Sequence, residues 1–271
     1  MKKKKQQFIE PQLSVSELSH ALYEANQKLA KVNNDLIATQ HERDIIFANI
    51  SHDLRSPITA IRNTIELLRT SDDLSREEFN RLLDLMDARS DYLEHLINDV
   101  FLLSSLEVNQ KINMSPENIG MFLEEFFFTA EADNKYIDRN LQLEVPEDFP
   151  YLVKIDPNLF LRVLDNLFSN ALKYSEENAT ITLGASYADS IVTIWVKDTG
   201  IGMSEEHLPH IFDRTYRIDQ ARTPGAKSGC GLGLSIVKNI IDKHHGTIRC
   251  TSKLTEGSCF FIDLPVFKER K

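Results

Sequence analysis

The strongest constraint in this chain is a stepped apolar series. Val15, Leu18, Leu22, Ala25, Leu29, Val32, Leu36, Thr39, Arg43, Ile46 and Ile50 follow at intervals of three and four. This is a heptad seam, which a helix satisfies by lying along another helix in a coiled coil. Thr39 and Arg43 hold seam positions and weaken it there. After Ile50 the register changes: Leu54, Ile58, Ile61, Ile65 and Leu68 continue the series, with steps of four in succession. That is a stutter, which locally unwinds a supercoil. Pro57 lies inside it, removes one helical hydrogen bond and bends the helix. His52 stands two residues past Ile50, about 200° round the helix at about 100° per residue. It is expected on the outer face, at a deformable place.

Ser71, Asp72, Asp73, Leu74 and Ser75 read as a turn. Ser75 with Glu78 makes a capping box that starts a second helix. Its seam is Phe79, Leu82, Met86, Arg89, Leu93, Leu96, Val100 and Leu103. Two helices joined by a short turn form an antiparallel hairpin. One hairpin buries its apolar faces poorly, and two make a four-helix bundle, so a homodimer is expected. A monomeric hairpin packed on the following domain is the alternative.

Near Asn109 the texture changes. Pro116 is expected to open a helix carrying Phe122, Leu123, Phe126 and Phe127. Strand-like runs follow at 141–145, 151–155, 180–186, 191–197, 247–252 and 259–264, with helices at about 158–174 and 232–244. Mixed strands with helices on one face predict a two-layer α/β sandwich. The fold class is therefore α+β. Residues 1–40 form a tail and coiled-coil helix, 41–109 a helical hairpin, and 110–271 the α/β domain.

Composition removes several functions. The chain has 31 basic and 41 acidic residues, a net charge of −10, which argues against a general nucleic-acid binder. No apolar run approaches the roughly 18 residues that span a bilayer, and no secretory signal is expected. Cys230, Cys250 and Cys259 are too sparse for a disulfide framework and lack metal-type spacing, so a reducing, cytosolic setting is expected. Lys2 to Lys5 read as a solvated basic tail, with contact to an anionic membrane surface as the alternative.

Three clusters carry chemistry. On one helix Asn166, Asn170, Lys173 and Tyr174 share a broad face, opposite Leu164, Leu167 and Ala171. Amides, an ammonium and an aromatic ring facing one way suit a hard cation, a phosphate and a flat base; a polar helix surface is the plainer reading. Asp198, Gly200 and Gly202 follow a strand. A carboxylate there accepts a hydrogen bond from an exocyclic amine, and the glycines admit close backbone approach; the plainer reading is a turn. Gly229, Cys230, Gly231, Leu232 and Gly233 open a helix whose N–H groups suit phosphate oxygens. The spacing differs from the dinucleotide fingerprint, and there is no Walker motif. The polar loop between the last two clusters carries Arg214, Arg217, Arg222 and Lys227 and reads as a lid.

Together these motifs resemble the sensor histidine kinases of two-component signalling, over residues from about 40 to 265. The run from His52 to Pro57 resembles the H box and Asn166 to Tyr174 the N box. Asp198 to Gly202 and Gly229 to Leu234 resemble the two glycine boxes, and Ile211 to Arg217 the F box. The resemblance implies a dimerisation and histidine phosphotransfer hairpin followed by an ATP-binding domain of the gyrase and histidine kinase type. It implies that His52 receives the γ-phosphoryl of ATP, with Asp53 as general base or holder of the ring tautomer. Asn170 would bind Mg²⁺ with Asn166 nearby, Lys173 would meet phosphate, Tyr174 would pack on the nucleoside and Asp198 would read the adenine amine. Arg217 and Arg214 would offset charge on the transferring group. The phosphoryl group would pass to an aspartate of a response regulator.

Ser56 stands where many members carry Thr or Asn; its hydroxyl can orient water, which implies phosphatase activity toward the regulator. Thr215 replaces the usual F-box aromatic and is expected to loosen lid packing. Cys230 stands where Ser or Thr is common. His20, His41, His95, His207 and His210 read as surface or packing residues, and His244, His245 and Gly246 as a helix end with its cap. A cytoplasmic kinase region is expected, with membrane attachment through upstream residues left open. A gyrase- or MutL-type ATPase explains residues 150–265 but not the heptad hairpin. A dimeric scaffold with a degenerate nucleotide site does not explain the intact Asn170, Asp198 and glycines.

Overall fold

The structure, a computed structural model, describes residues 15–71, 74–107, 112–218 and 231–268. The basic run from Lys2 to Lys5 lies outside them. The chain forms two compact units, one up to Ile50 and one from Ser51. The helix α1, Val15–Thr70, contributes to both. In the first unit the seam residues Leu22, Leu29, Val32 and Leu36 are each more than half exposed. That leaves a continuous apolar stripe on a single helix.

In the second unit, α1 buries Asp53, Pro57 and Thr64 at helical spacing, and Ile61 and Leu68 are half-buried. The Thr64 hydroxyl donates to the Ala60 carbonyl at 3.0 Å, so its burial leaves no orphan donor. The capping box forms as expected. The Glu78 N–H donates to Ser75 Oγ at 3.2 Å, and the Ser75 N–H donates to Glu78 Oε2 at 3.0 Å. These bonds from Ser75 hold the Glu78 carboxyl below the usual range. The helix that follows, α2, spans Arg76–Glu107 and buries Leu96, Leu103 and Leu106. Ile58, Ile65, Phe79, Leu83, Ile97 and Phe101 remain exposed, Phe101 by 71%.

The α/β domain departs from expectation at its start. Pro116 lies in a strand, β1, Ser115–Asn118, and the helix α3 begins only at Ile119 and runs to Glu131. Asn118 caps it by accepting from the Met121 N–H at 3.2 Å. Proline is tolerated in β1 because this strand pairs on one side only, antiparallel to β3, Leu152–Ile155.

The main sheet has the order β2-β4-β5-β7-β6. Its strands are β2 (Asn140–Glu144), β4 (Thr180–Ala188), β5 (Ile191–Asp198), β6 (Thr247–Lys253) and β7 (Gly257–Pro265). β2 runs parallel to β4, and the other pairs are antiparallel. Alternate residues point to one face and are buried: Ile181, Leu183 and Ala185; Val192, Ile194 and Val196; Phe260, Ile262 and Leu264. The helices α4 (Pro157–Lys173) and α5 (Gly233–Lys243) cover that face with Phe160, Leu164, Leu167, Phe168, Ile236 and Ile240. Each fully buried side chain of this size contributes about 1.5–3 kcal/mol relative to exposure. This is the two-layer α/β sandwich.

Two long-range contacts fix the helices. His244, 2% exposed, ends α5: its Nδ1 donates to the Ile240 carbonyl at 2.7 Å and its Nε2 accepts from the Asp156 N–H at 2.8 Å. Asp156 caps α4 through Leu159 and also accepts from the Asn113 N–H at 2.9 Å. In addition, α2 packs on α5, and Asp99 of α2 pairs with Arg162 of α4 at 2.5 Å.

Candidate functional site

His52 lies on the outer face of α1 with its side chain 79% exposed, as the seam count requires. Its Nδ1 is 3.2 Å from Asp53 Oδ1, and the Asp53 side chain is only 10% exposed because it belongs to the buried stripe. An imidazole whose Nδ1 proton points at a carboxylate keeps the lone pair on Nε2. The exposed Nε2 is then held in a defined orientation. Ser56, one turn on, is exposed, and Pro57 is buried inside the continuous helix.

The second group sits on α4. Pro157 opens this helix, and the Asp156 side chain caps it. The amphipathic pattern sends Leu164, Leu167 and Ala171 inward and leaves Asn166, Asn170 and Lys173 half-exposed. The Asn166 amide donates to the Arg162 carbonyl at 2.9 Å. Its Oδ1 lies over Gly233, where a Cβ would stand 2.7 Å away. Asn166 therefore touches the start of α5, and a side chain at 233 would displace its amide. Tyr174, 40% exposed, ends α4, and Lys173 Nζ lies 4.9 Å from its ring centroid. The Tyr174 carbonyl accepts from the Ile201 N–H at 3.0 Å, which joins α4 to the turn after β5.

That turn holds Asp198, 5% exposed. Its Oδ1 accepts from the Gly200 N–H at 2.8 Å and from the Ser258 N–H at 3.3 Å. Burial pushes the carboxyl up from its usual range, and the two N–H donors oppose that shift. Oδ2 makes no hydrogen bond to a described residue. Gly202 adopts φ +61°, and a Cβ there would stand 1.9 Å from the Lys253 carbonyl oxygen. The β6–β7 turn thus clamps the glycine segment. Ser252 Oγ accepts from the Met203 N–H at 2.9 Å and donates to the Gly257 carbonyl at 2.8 Å. Ser252, Gly257 and Ser258 were not singled out in the sequence. The Glu256, Gly257, Ser258 turn between two alternating strands was the available signal.

Gly229, Cys230, Arg222 and Lys227 lie outside the described residues. Gly231 and the fully buried Leu232 lead into α5, whose first turn has no side-chain cap. No side chain of a described residue caps its leading N–H groups. The feet of the loop meet: the Thr215 N–H donates to the Gly231 carbonyl at 3.2 Å, with Thr215 at φ +60°. Phe212 packs edge-on against Phe260, and Ile211 is buried. His207 is a packing residue: it is half-buried, and its Nδ1 lies 2.9 Å from the Tyr216 hydroxyl. Arg217 is exposed and Arg214 half-exposed. Cys250 and Cys259 are unpaired, and burial pushes their thiols up to about 12 and about 11, so neither supplies a thiolate at neutral pH. No described helix is long and apolar enough to cross a membrane.

Sheet, glycine segments and α4 together define an ATPase domain of the histidine kinase, gyrase B and HSP90 class, preceded by helices that carry the exposed His52. Residues 155–268 match the family model for Histidine kinase-, DNA gyrase B-, and HSP90-like ATPases, and residues 42–109 match the His Kinase A (phospho-acceptor) domain. The chain belongs to the sensor histidine kinases of two-component signalling. It is similar to the sensor histidine kinase WalK of Bacillus subtilis (strain 168), 32% identical over 237 residues, covering 85% of this chain and 38% of WalK. It is 33% identical over 236 residues to the uncharacterized sensor-like histidine kinase ycf26 of Porphyra purpurea, covering 82% of this chain and 36% of that one. The chain thus spans little more than a third of the length of these curated relatives. In fold it resembles the Acinetobacter baumannii histidine kinase AdeS, with a TM-score of 0.59 and 22% identity over 80% of this chain and 98% of that one. It also resembles histidine kinase ThkA, solved in complex with response regulator protein TrrA, with a TM-score of 0.63 and 23% identity over 83% of this chain and 62% of that one.

Proposed function

We propose that this chain uses ATP to phosphorylate His52 and passes the phosphoryl group to an aspartate of a response regulator. The observation that carries this reading is the pairing of an exposed His52 with a nearly buried Asp53. Asp53 keeps the proton on Nδ1, so Nε2 attacks the γ-phosphorus of ATP. The Nε2–P bond forms as the bond to the bridging oxygen breaks, and ADP leaves. The positive charge gained by the ring is offset by Asp53. Positioning and charge stabilisation do the rest.

The α/β domain supplies the nucleotide contacts. Asp198 Oδ2 accepts from the adenine amine, and Gly200 and Gly202 let the backbone lie close to the base. Tyr174 packs on the nucleoside and Lys173 meets phosphate. The N–H groups of Gly231, Leu232 and Gly233 donate to phosphate oxygens at the start of α5, and Gly229 serves the same group. Arg217 and Arg214 offset charge on the transferring group.

Mg²⁺, when bound, neutralises phosphate charge. The Asn170 amide makes no hydrogen bond to a described residue, so its oxygen suits the ion, with Asn166 nearby. Among the described residues no three His, Cys, Asp or Glu side chains converge on one point, so the remaining ligands are phosphate oxygens and water.

The assignment of residues 1–40 to a tail and signalling helix, 41–109 to the dimerising phosphotransfer hairpin and 110–271 to the ATP-binding domain follows from this reading. So does a cytoplasmic location. The exposed Ile58, Phe79, Leu83 and Phe101 favour a homodimer, in which a second hairpin covers them. ThkA, similar in fold, was solved with a response regulator. Ser56, exposed one turn from His52, suits a water-orienting role in regulator dephosphorylation.

The test is incubation of the chain with γ-labelled ATP and Mg²⁺. The label is expected on protein as an acid-labile, base-stable phosphoramidate, and Asn170→Ala is expected to abolish it. Release of free phosphate with no protein label would instead support a gyrase-type ATPase.

A further inference from the structure

The helices α4 and α5 carry different parts of the nucleotide site. At the end of α4 the Tyr174 carbonyl accepts from the Ile201 N–H at 3.0 Å, and a Cβ on Gly200 would stand 2.3 Å from the same oxygen. The Asp198 turn and α4 therefore share one frame. Gly233 opens α5, so the N–H groups assigned to phosphate belong to a second frame. The spacing between the base contacts and the phosphate contacts thus depends on how α5 is set against α4 along their axes.

Two contacts fix that setting. At one end Asn166 Oδ1 lies over Gly233, where a Cβ would stand 2.7 Å away. At the other end His244 Nε2 accepts from the N–H of Asp156, the cap of α4, at 2.8 Å. Asn166 follows Asp156 by ten residues, and His244 follows Gly233 by eleven. At 1.5 Å per residue the two contacts are about 15 Å apart on α4 and about 17 Å apart on α5. Two antiparallel helices pinned at such matching spans resist sliding. The His244 ring is itself held. It is 2% exposed, its centroid lies 6.2 Å from that of the fully buried Phe160 ring, and its Nδ1 donates to the Ile240 carbonyl at 2.7 Å. Burial disfavours the charged ring more than the Ile240 bond and Asp156 favour it, so Nε2 keeps the lone pair that the Asp156 N–H uses. The Ile240 bond stays within α5. Only the Asp156 bond of this ring crosses between the helices.

We propose that His244 is a positioning residue for the phosphate chain of ATP. Its bond to the Asp156 N–H sets the register of α5 against α4, and so holds the N–H groups of Gly231, Leu232 and Gly233 at the correct reach from the adenine contacts. His244 lies at the far end of α5 from these groups and acts through the helix. This rests on the ATP-dependent reading above.

The test uses the full chain with His244→Phe, His244→Asn and His244→Gln. Phenylalanine keeps the ring and removes both side-chain bonds. Asparagine places its amide near Nδ1 and restores only the bond within α5, whereas glutamine reaches the place of Nε2 and restores the bond to Asp156. Calorimetric titration, at a temperature where each variant is folded, measures affinity for adenosine and for a non-hydrolysable ATP analogue with Mg²⁺. Adenosine makes the base contacts alone and is expected to bind all four proteins equally. The ATP analogue is expected to bind the Phe and Asn variants about two- to tenfold more weakly than wild type, the worth of one net hydrogen bond, and the Gln variant as wild type. The comparison of Asn with Gln decides the matter if the Phe variant fails to fold. Equal losses for adenosine and the ATP analogue would show a merely structural role and overturn the proposal. An Asn variant that binds the analogue as tightly as the Gln variant would also overturn it, with the ATP reading left intact. Failure of the wild type to bind the analogue would defeat that reading, and the proposal with it.

Discussion

Asp198 and Gly200 are joined by a hydrogen bond of 2.8 Å from the Gly200 N–H to Asp198 Oδ1, in a carboxyl that is 5% exposed. The bond fixes one oxygen and leaves the other for a ligand. Burial also raises the carboxyl above its ordinary range. A raised acid contributes stability below its unfolded value, near 3.8, and loses it as pH rises through the folded value. Asp198→Asn keeps an acceptor for Gly200 and removes the buried charge. The variant is expected to melt higher than wild type at neutral pH and equally below about pH 3.8, while binding of an ATP analogue falls by at least about a hundredfold. Calorimetry and analogue fluorescence check both.

His244 works in the opposite sense. Burial depresses its ordinary value of 6.5, and its Nε2 accepts from Asp156, a role that only the unprotonated ring can fill. Its contribution is therefore complete above that value and is lost as pH falls below it toward the folded value. His244→Ala is expected to cost about 1–3 kcal/mol at pH 7.5, because it leaves the Asp156 N–H without its partner. The cost should shrink as pH falls below the ordinary value. Urea denaturation at several pH values measures it.

Gly202→Ala tests the clamp from the β6–β7 turn. The new methyl would stand 1.9 Å from the Lys253 carbonyl oxygen, at a backbone conformation that L-residues resist. A loss of about 1–3 kcal/mol and weaker nucleotide binding are expected. Thermal melting with and without ATP separates the two effects.

The contact between His207 and Tyr216 gives a double-mutant test. His207 and the Tyr216 hydroxyl lie 2.9 Å apart. His207→Phe and Tyr216→Phe are each expected to raise KM for ATP by about two- to tenfold, the worth of one net hydrogen bond. The double variant should add little beyond either alone. Steady-state kinetics of all four proteins decides it.

What the sequence made legible was local. The heptad seam placed His52 outward, the Ser75 and Glu78 pair placed the start of α2, and alternating apolar residues found all five strands of the main sheet because their period is set within each segment. The same locality caused the error at Pro116. Proline suits a helix start, but pairing of residues 115–118 with β3 and the Asn118 cap moved the boundary. Contacts between distant residues left no local trace. His244 meets Asp156 across 88 residues and Arg162 meets Asp99 across 63. Ser258 meets Asp198 across 60, so half of that carboxyl's support was invisible before the strands were assembled.

The most direct measurement is phosphorylation of His52→Gln with γ-labelled ATP, alongside wild type at matched ATP-analogue binding. If His52 is the phosphoacceptor, the variant binds nucleotide normally and takes up no base-stable label. Base-stable label on the variant at the wild-type level would contradict it.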